Sequence, residues 1–151
     1  MAVVATARMP ATERRQQLLD VALGVFARNG YHETSMNALA SEAGITKPVL
    51  YQHFESKHEL FAQVLQQTGD RLHAAIAETT VGVDSPHDRV EAGFLAFFRF
   101  FDDCPDAFSV LYSSSLGSVP EFKREARRVQ DTFIAMLARL VRTDVEDDAR
   151  A

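Results

Sequence analysis

The segment from Thr34 to Lys57, TSMNALASEAGITKPVLYQHFESK, constrains this chain more than any other part of it. It reads as two short helices joined by a tight turn. Met36, Leu39, Ala40 and Ala43 recur at helical spacing. Gly44 follows at once and lets the backbone turn sharply without a Cβ clash. Thr46 then stands where it can cap a second helix, with Pro48 in the first turn, where a missing N–H does no harm. Two short helices joined by three residues, one of them Gly, make a helix-turn-helix. Such a unit places its second helix in the major groove of DNA.

The faces of that second helix follow from about 100° of rotation per residue. Leu50 and Phe54 form the inward stripe. Pro48 and Gln52 point away from it, Tyr51 and Val49 flank them, and His53 sits at the shoulder. The outward side carries no carboxylate, and Glu55 comes only after the helix. A solvated face ordinarily mixes Glu with Lys. A face that approaches phosphates leaves Glu out.

The run Ala43-Gly-Ile-Thr-Lys-Pro-Val-Leu-Tyr-Gln-His-Phe54, with Ser56-Lys57 and Glu59-Leu60, resembles the DNA-binding domain of the TetR family of bacterial repressors. The resemblance continues upstream through Leu18, Ala22, Phe26, Gly30 and Tyr31 to Thr34, over roughly residues 12–65. One departure is Pro48, where many members carry Gly. The resemblance implies phosphate contacts from Tyr51, His53 and Lys57, whose bland alternative is ordinary polar surface. Thr46, Lys47, Pro48, Val49 and Gln52 are candidates for base edges: Gln pairs with adenine, Lys with guanine, and Val or Pro touches a thymine methyl. Thr34 reads first as a helix cap, and the N–H groups beside it, with Ser35, also suit a phosphate.

The rest of the chain reads as helices. The first starts near Thr12, carries Leu18, Val21, Ala22, Val25 and Phe26 inward, and ends at Asn29-Gly30. Ser56-Lys-His-Glu59 is a capping box for a fourth helix that reaches about Thr79. Ser85-Pro86 opens a fifth, with Val90, Phe94, Phe97 and Phe101 as its stripe. Leu95, Phe98 and Phe100 widen that stripe until the helix is apolar almost all round, which predicts a central, buried helix. Cys104-Pro105 breaks into a sixth helix with Phe108, Leu111 and Tyr112. Ser113–Gly117 is a polar loop, and Ser118 caps a seventh helix with Phe122, Val129, Phe133, Met136, Leu137 and Leu140. The tail from Thr143 turns acidic and is expected to fray. The fold class is therefore all-α: a disordered arm over 1–10, a helix-turn-helix domain over 11–56, and a helical remainder over 57–151, which the resemblance implies is an effector-binding and dimerisation domain, here truncated at its C-terminus.

In the resembled family the later helices enclose an effector pocket. Phe94, Phe97, Phe98, Phe101, Tyr112 and Phe133 are its lining candidates here, suited to a small hydrophobic or aromatic effector. The alternative is plain core. The family usually continues with two further helices that form a homodimer interface, and this chain stops where they would start. Either it is a fragment or its dimer forms differently; the fragment is favoured.

Composition narrows the function. Hydrophobic residues make up 46% of the chain, enough for a core, and its net charge is −5. Residues 1–60 balance Arg8, Arg14, Arg15, Arg28, Lys47 and Lys57 against Glu13, Asp20, Glu33, Glu42, Glu55 and Glu59, so the excess acid lies in the remainder. Non-specific DNA affinity should be weak, leaving selection to specific contacts. The single cysteine, Cys104, forbids an intrachain disulfide and fits a cytoplasmic location. No apolar run approaches membrane-spanning length. The five histidines show no metal-ligand spacing, and no phosphate loop occurs, so neither enzyme, metal nor cofactor is expected. The expected function is a ligand-responsive repressor binding a double-stranded palindromic operator as a dimer. The alternative is a helical protein-interaction module without DNA binding.

Overall fold

The computed structural model describes residues 8–112 and 119–150, with residues 143–148 described by backbone alone. The described residues form seven helices: α1 (Ala11–Asn29), α2 (Met36–Ala43), α3 (Lys47–His53), α4 (Lys57–Thr80), α5 (Pro86–Asp103), α6 (Pro105–Tyr112) and α7 (Pro120–Asp148). The expected loop Ser113–Gly117, the cap at Ser118 and most of the expected arm lie outside the described residues.

Helix boundaries follow local chemistry. Gly44 takes φ 68°, its N–H bonds the Ser41 carbonyl, and the next N–H, of Ile45, reaches back to Ala40 O at 3.0 Å. This paired arrangement closes the carbonyl end of α2 and needs a residue tolerant of positive φ. Gly30 ends α1 at φ 78° and ψ 168°, a region open essentially to glycine alone. Ser56 Oγ accepts the Glu59 N–H at 3.0 Å, as the capping box requires. The Glu59 carboxylate, however, takes the Glu55 N–H at 2.6 Å, one residue earlier than expected.

The central element is α4, not α5. It packs against α1, α5, α6 and α7, and Leu60, Phe61, Val64, Leu65, Leu72 and Ile76 are buried along it. Each such side chain contributes roughly 1.5–3 kcal/mol by leaving water. The expectation of a buried α5 fails for a definable reason. Its buried residues are the small ones, Gly93 and Ala96. A Cβ on Gly93 would make ordinary van der Waals contact, at 3.6–3.9 Å, with Thr80 and Ile76 of α4 and Leu140 of α7. The large residues turn elsewhere: Phe94, Leu95 and Phe98 are exposed, Phe98 by 63%. A tight approach occurs between α4 and α7, where a Cβ on Gly69 would lie 2.6 Å from Val129 Cγ2.

Helix α7 also departs from expectation at its end. It continues through Thr143 to Asp148 rather than fraying from Thr143. Its Phe122, Ala126, Val129 and Phe133 are buried in the same hydrophobic cluster as the α1, α2 and α4 residues. The expected domain boundary at 56/57 falls at the N-cap of α4, and that cluster runs across it. No helix among the described residues is long and apolar enough to cross a membrane.

Candidate nucleic-acid interface

Seven residues cannot hold a helix unaided, so α3 depends on its anchors. Leu50 and Phe54 are each 1% exposed and plug it into the core. This is the inward stripe read from the sequence. Arg15 of α1 secures the other end: its Nη1 donates to His53 O at 2.8 Å. Its guanidinium lies 4.5 Å from the Phe54 ring centroid, and Nη2 donates to Gln63 of α4. A cation at a helix C-terminus also meets the favourable end of the dipole. No local sequence signal marks Arg15, because its partners are 38 and 48 residues away.

With Leu50 and Phe54 inward, the opposite side of α3 faces solvent. Lys47, Pro48, Tyr51 and Gln52 are exposed, and Val49 and His53 are half-buried. Thr46 is exposed too, but it does not cap as expected. Its side chain makes no capping hydrogen bond, although its carbonyl accepts the Leu50 N–H at 3.2 Å. The segment from Thr46 to His53 contains no carboxylate.

The N-terminus of α2 corrects a second assignment. Ser35, not Thr34, is the cap: its Oγ accepts the Ala38 N–H at 3.0 Å. Thr34 is 2% exposed and donates its hydroxyl to Gly30 O at 2.7 Å. It braces the connector between α1 and α2, and its side chain is too buried to meet a phosphate. Ser35 is exposed beside the free N–H groups of the first turn of α2.

Lys57 stands in the first turn of α4, half-buried. Its Nζ donates to Tyr31 O at 2.9 Å and lies 4.3 Å from the Tyr31 ring centroid. One ammonium hydrogen is thus committed and two donors remain. The Tyr31 carbonyl also accepts the Thr34 N–H at 3.4 Å, which ties Lys57 to the segment leading into Ser35. Burial pushes the Tyr31 phenol above its ordinary value.

The six aromatic pocket candidates come together, but as a layered face. Phe97 stacks on Phe133 at 4.2 Å, and Phe94 meets Phe133 at 6.4 Å. Phe97 also meets Phe98 and Phe101, and Phe101 meets Tyr112 at 5.9 Å. Phe133 is buried, Phe97 and Phe101 are half-buried, and Phe94, Phe98 and Tyr112 are exposed. Burial also pushes the Tyr112 phenol up. None of the six lines either of two grooves seen among the described residues. One, of about 560 Å³, lies between α4 and α7 and includes His58, Glu121, Phe122 and Arg128. The other, of about 430 Å³, lies between α4 and α5 and includes Arg71, Arg99 and Cys104.

One acidic cluster escaped the sequence reading. Ligand atoms of His87, Asp88 and Glu91 lie within 4.8 Å of one another. All three are exposed on the first two turns of α5, near the positive end of the helix dipole, which disfavours a cation.

Comparisons with known proteins bear on this geometry. Residues 18–64 match the family model for bacterial regulatory proteins of the tetR family. The HTH-type transcriptional activator FasR of Mycolicibacterium smegmatis is 35% identical over 120 residues, covering 80% of this chain and 55% of that protein. The HTH-type transcriptional repressor KstR2 of Mycobacterium tuberculosis is 32% identical over 112 residues, covering 72% of this chain and 56% of that protein. The chain thus spans little more than half the length of these curated relatives. Among solved structures, a TetR-like transcriptional regulator from Rhodococcus sp. RHA1 superposes with a TM-score of 0.81 at 34% identity. That match covers 93% of this chain and 76% of the other.

Proposed function

The chain belongs to the TetR family of bacterial regulatory proteins, and on that premise we propose that it is a ligand-responsive DNA-binding transcription regulator. One observation carries the proposal. The two apolar side chains of α3 are buried, so the segment from Thr46 to Gln52 turns a carboxylate-free face to solvent. Thr46, Lys47, Pro48, Val49 and Gln52 read base edges in the major groove. Ser35, Tyr51, His53 and Lys57 fix the register on phosphates.

Two such heads, in a homodimer, occupy adjacent major grooves of a palindromic operator about 34 Å apart. A hydrophobic or aromatic effector bound against the aromatic face of α5, α6 and α7 favours one spacing of the heads and thereby changes occupancy. The named relatives include an activator and a repressor; we favour the repressor. The chain then divides at Ser56 into reading head and regulatory part, and it works in the cytoplasm.

The rival reading is a helical interaction module, supported by the exposed Phe94, Leu95, Phe98 and Phe108. A gel shift with the DNA upstream of the chain's own gene separates the two. The proposal expects a complex that survives unrelated competitor duplex and dissolves with salt. A folded chain that retards neither this DNA nor a genomic fragment pool supports the rival.

A further inference from the structure

Three rings and one cation link the start of α7 to the reading head. Phe122, the third residue of α7, is 2% exposed. Its ring lies 4.8 Å from that of Tyr31, 4.6 Å from Phe61 and 4.7 Å from His58. Beside it, Glu121 pairs with His58 at 2.8 Å. The Tyr31 residue that Phe122 supports is the same one that holds Lys57, by its carbonyl and by its ring face.

We infer that Phe122 is a positioning residue for the Lys57 ammonium, so that α7 sets the place of a DNA-facing charge from the far half of the chain. The inference rests on the proposed phosphate role of Lys57 and adds the element that governs it. The route is short and physically continuous. Phe122 meets Tyr31 edge to face, a geometry that fixes a ring more tightly than plain apolar contact. Tyr31 in turn offers Lys57 a backbone carbonyl, which holds whatever the ring does, and a π-face, an attraction that acts only in one ring orientation.

The same helix reaches the aromatic face. Phe133, which stacks on Phe97, lies eleven residues beyond Phe122, about 16 Å along α7. Between them Val129 meets Gly69 of α4 at the tight approach described above. Phe122, Val129 and Phe133 thus stand on one continuous helix. The link from Phe122 to Lys57 is tested by direct coupling data.

Two measurements on the 151-residue chain supply them. The first uses 3-fluorotyrosine and the ¹⁹F resonance of Tyr31, assigned with Tyr31→Phe, in the absence of DNA. Lys57→Met should move this resonance in the parent chain. In a Phe122→Leu background it should move it less than about half as far, since coupled residues are not additive. Phe122→Met, which fills a similar volume without a ring, serves where Phe122→Leu does not fold. An equal Lys57→Met displacement in both backgrounds overturns the inference.

The second measures affinity for a labelled mixed-sequence duplex against salt. Lys57→Ala should flatten the slope of log K against log salt by about 1. Phe122→Leu should flatten it in the same direction, and the double variant should fall no further than Lys57→Ala alone. A Phe122→Leu chain with the parent's slope, or a double variant with fully additive loss, contradicts the inference. Should Lys57→Ala leave the slope unchanged, the phosphate role of Lys57 is what fails, and the ¹⁹F cycle still decides whether Phe122 places the ammonium.

Discussion

Arg15 is the strongest test of how the reading helix is held. Arg15→Met keeps an unbranched apolar stem and removes three attachments: the bond to His53 O at 2.8 Å, the ring contact at 4.5 Å, and the Gln63 bond. A charge-assisted bond to a carbonyl is worth up to about 1.5–3 kcal/mol. Arg15 is half-buried, so solvent screening reduces this to about 1 kcal/mol. The cation over Phe54 adds about 0.5–1 kcal/mol. The expected loss is about 1.5–2 kcal/mol, which for a chain of this size lowers Tm by about 3–8 °C. The functional loss should exceed that. The C-terminal turn of α3 frays when its last carbonyls lose their partner, and Gln52 and His53 lie in that turn. Arg15→Lys keeps the charge without the planar fork and should fall between parent and Met variant. Thermal melting followed by circular dichroism gives the first number, and fluorescence anisotropy on operator DNA the second. An Arg15→Met chain that melts within about 1 °C of the parent and binds DNA equally well refutes the role assigned to this residue.

The remaining predictions concern base reading and two glycines. Gln52→Ala should cost about 1–3 kcal/mol on the operator and relax preference at one base position per half-site, as read by binding to a set of single-base operator variants. Gly44→Ala places a Cβ at φ 68° and should lower the urea midpoint by the equivalent of about 1 kcal/mol without changing the m-value. Gly69→Ala should destabilise by about 1–3 kcal/mol despite alanine's better helix propensity, because Val129 Cγ2 stands 2.6 Å from the new Cβ. The same change should cost clearly less in a Val129→Ala background; equal costs in both would mean that α4 and α7 do not meet there.

Much of the reading head was legible because its determinants are local. Gly44, Pro48, Leu50 and Phe54 act within a few residues of themselves, so spacing and angle suffice to place them. Where two neighbours could each do one job, spacing did not decide. Thr34 and Ser35 both suit an N-cap, and only the connector geometry shows Ser35 capping while Thr34 braces Gly30. Helix α5 was misjudged because an apolar residue on nearly every side leaves amphipathicity without a direction. The residues that α5 buries are Gly93 and Ala96, small side chains that a hydrophobic stripe does not single out. Arg15 and Phe122 were invisible for another reason. Their partners lie far away in sequence, and nothing local distinguishes either from an ordinary surface arginine or core phenylalanine.

The central claim is that the exposed, carboxylate-free face of α3 reads DNA. Selection of the purified chain against a pool of randomised duplexes, with Gln52→Ala run in parallel, tests it most directly. The account predicts enrichment of an inverted repeat with half-sites about one helical turn apart, and a Gln52→Ala consensus that loses stringency at one position in each half. A folded chain that enriches no sequence, or a Gln52→Ala variant that selects the parent consensus with undiminished stringency, would contradict it.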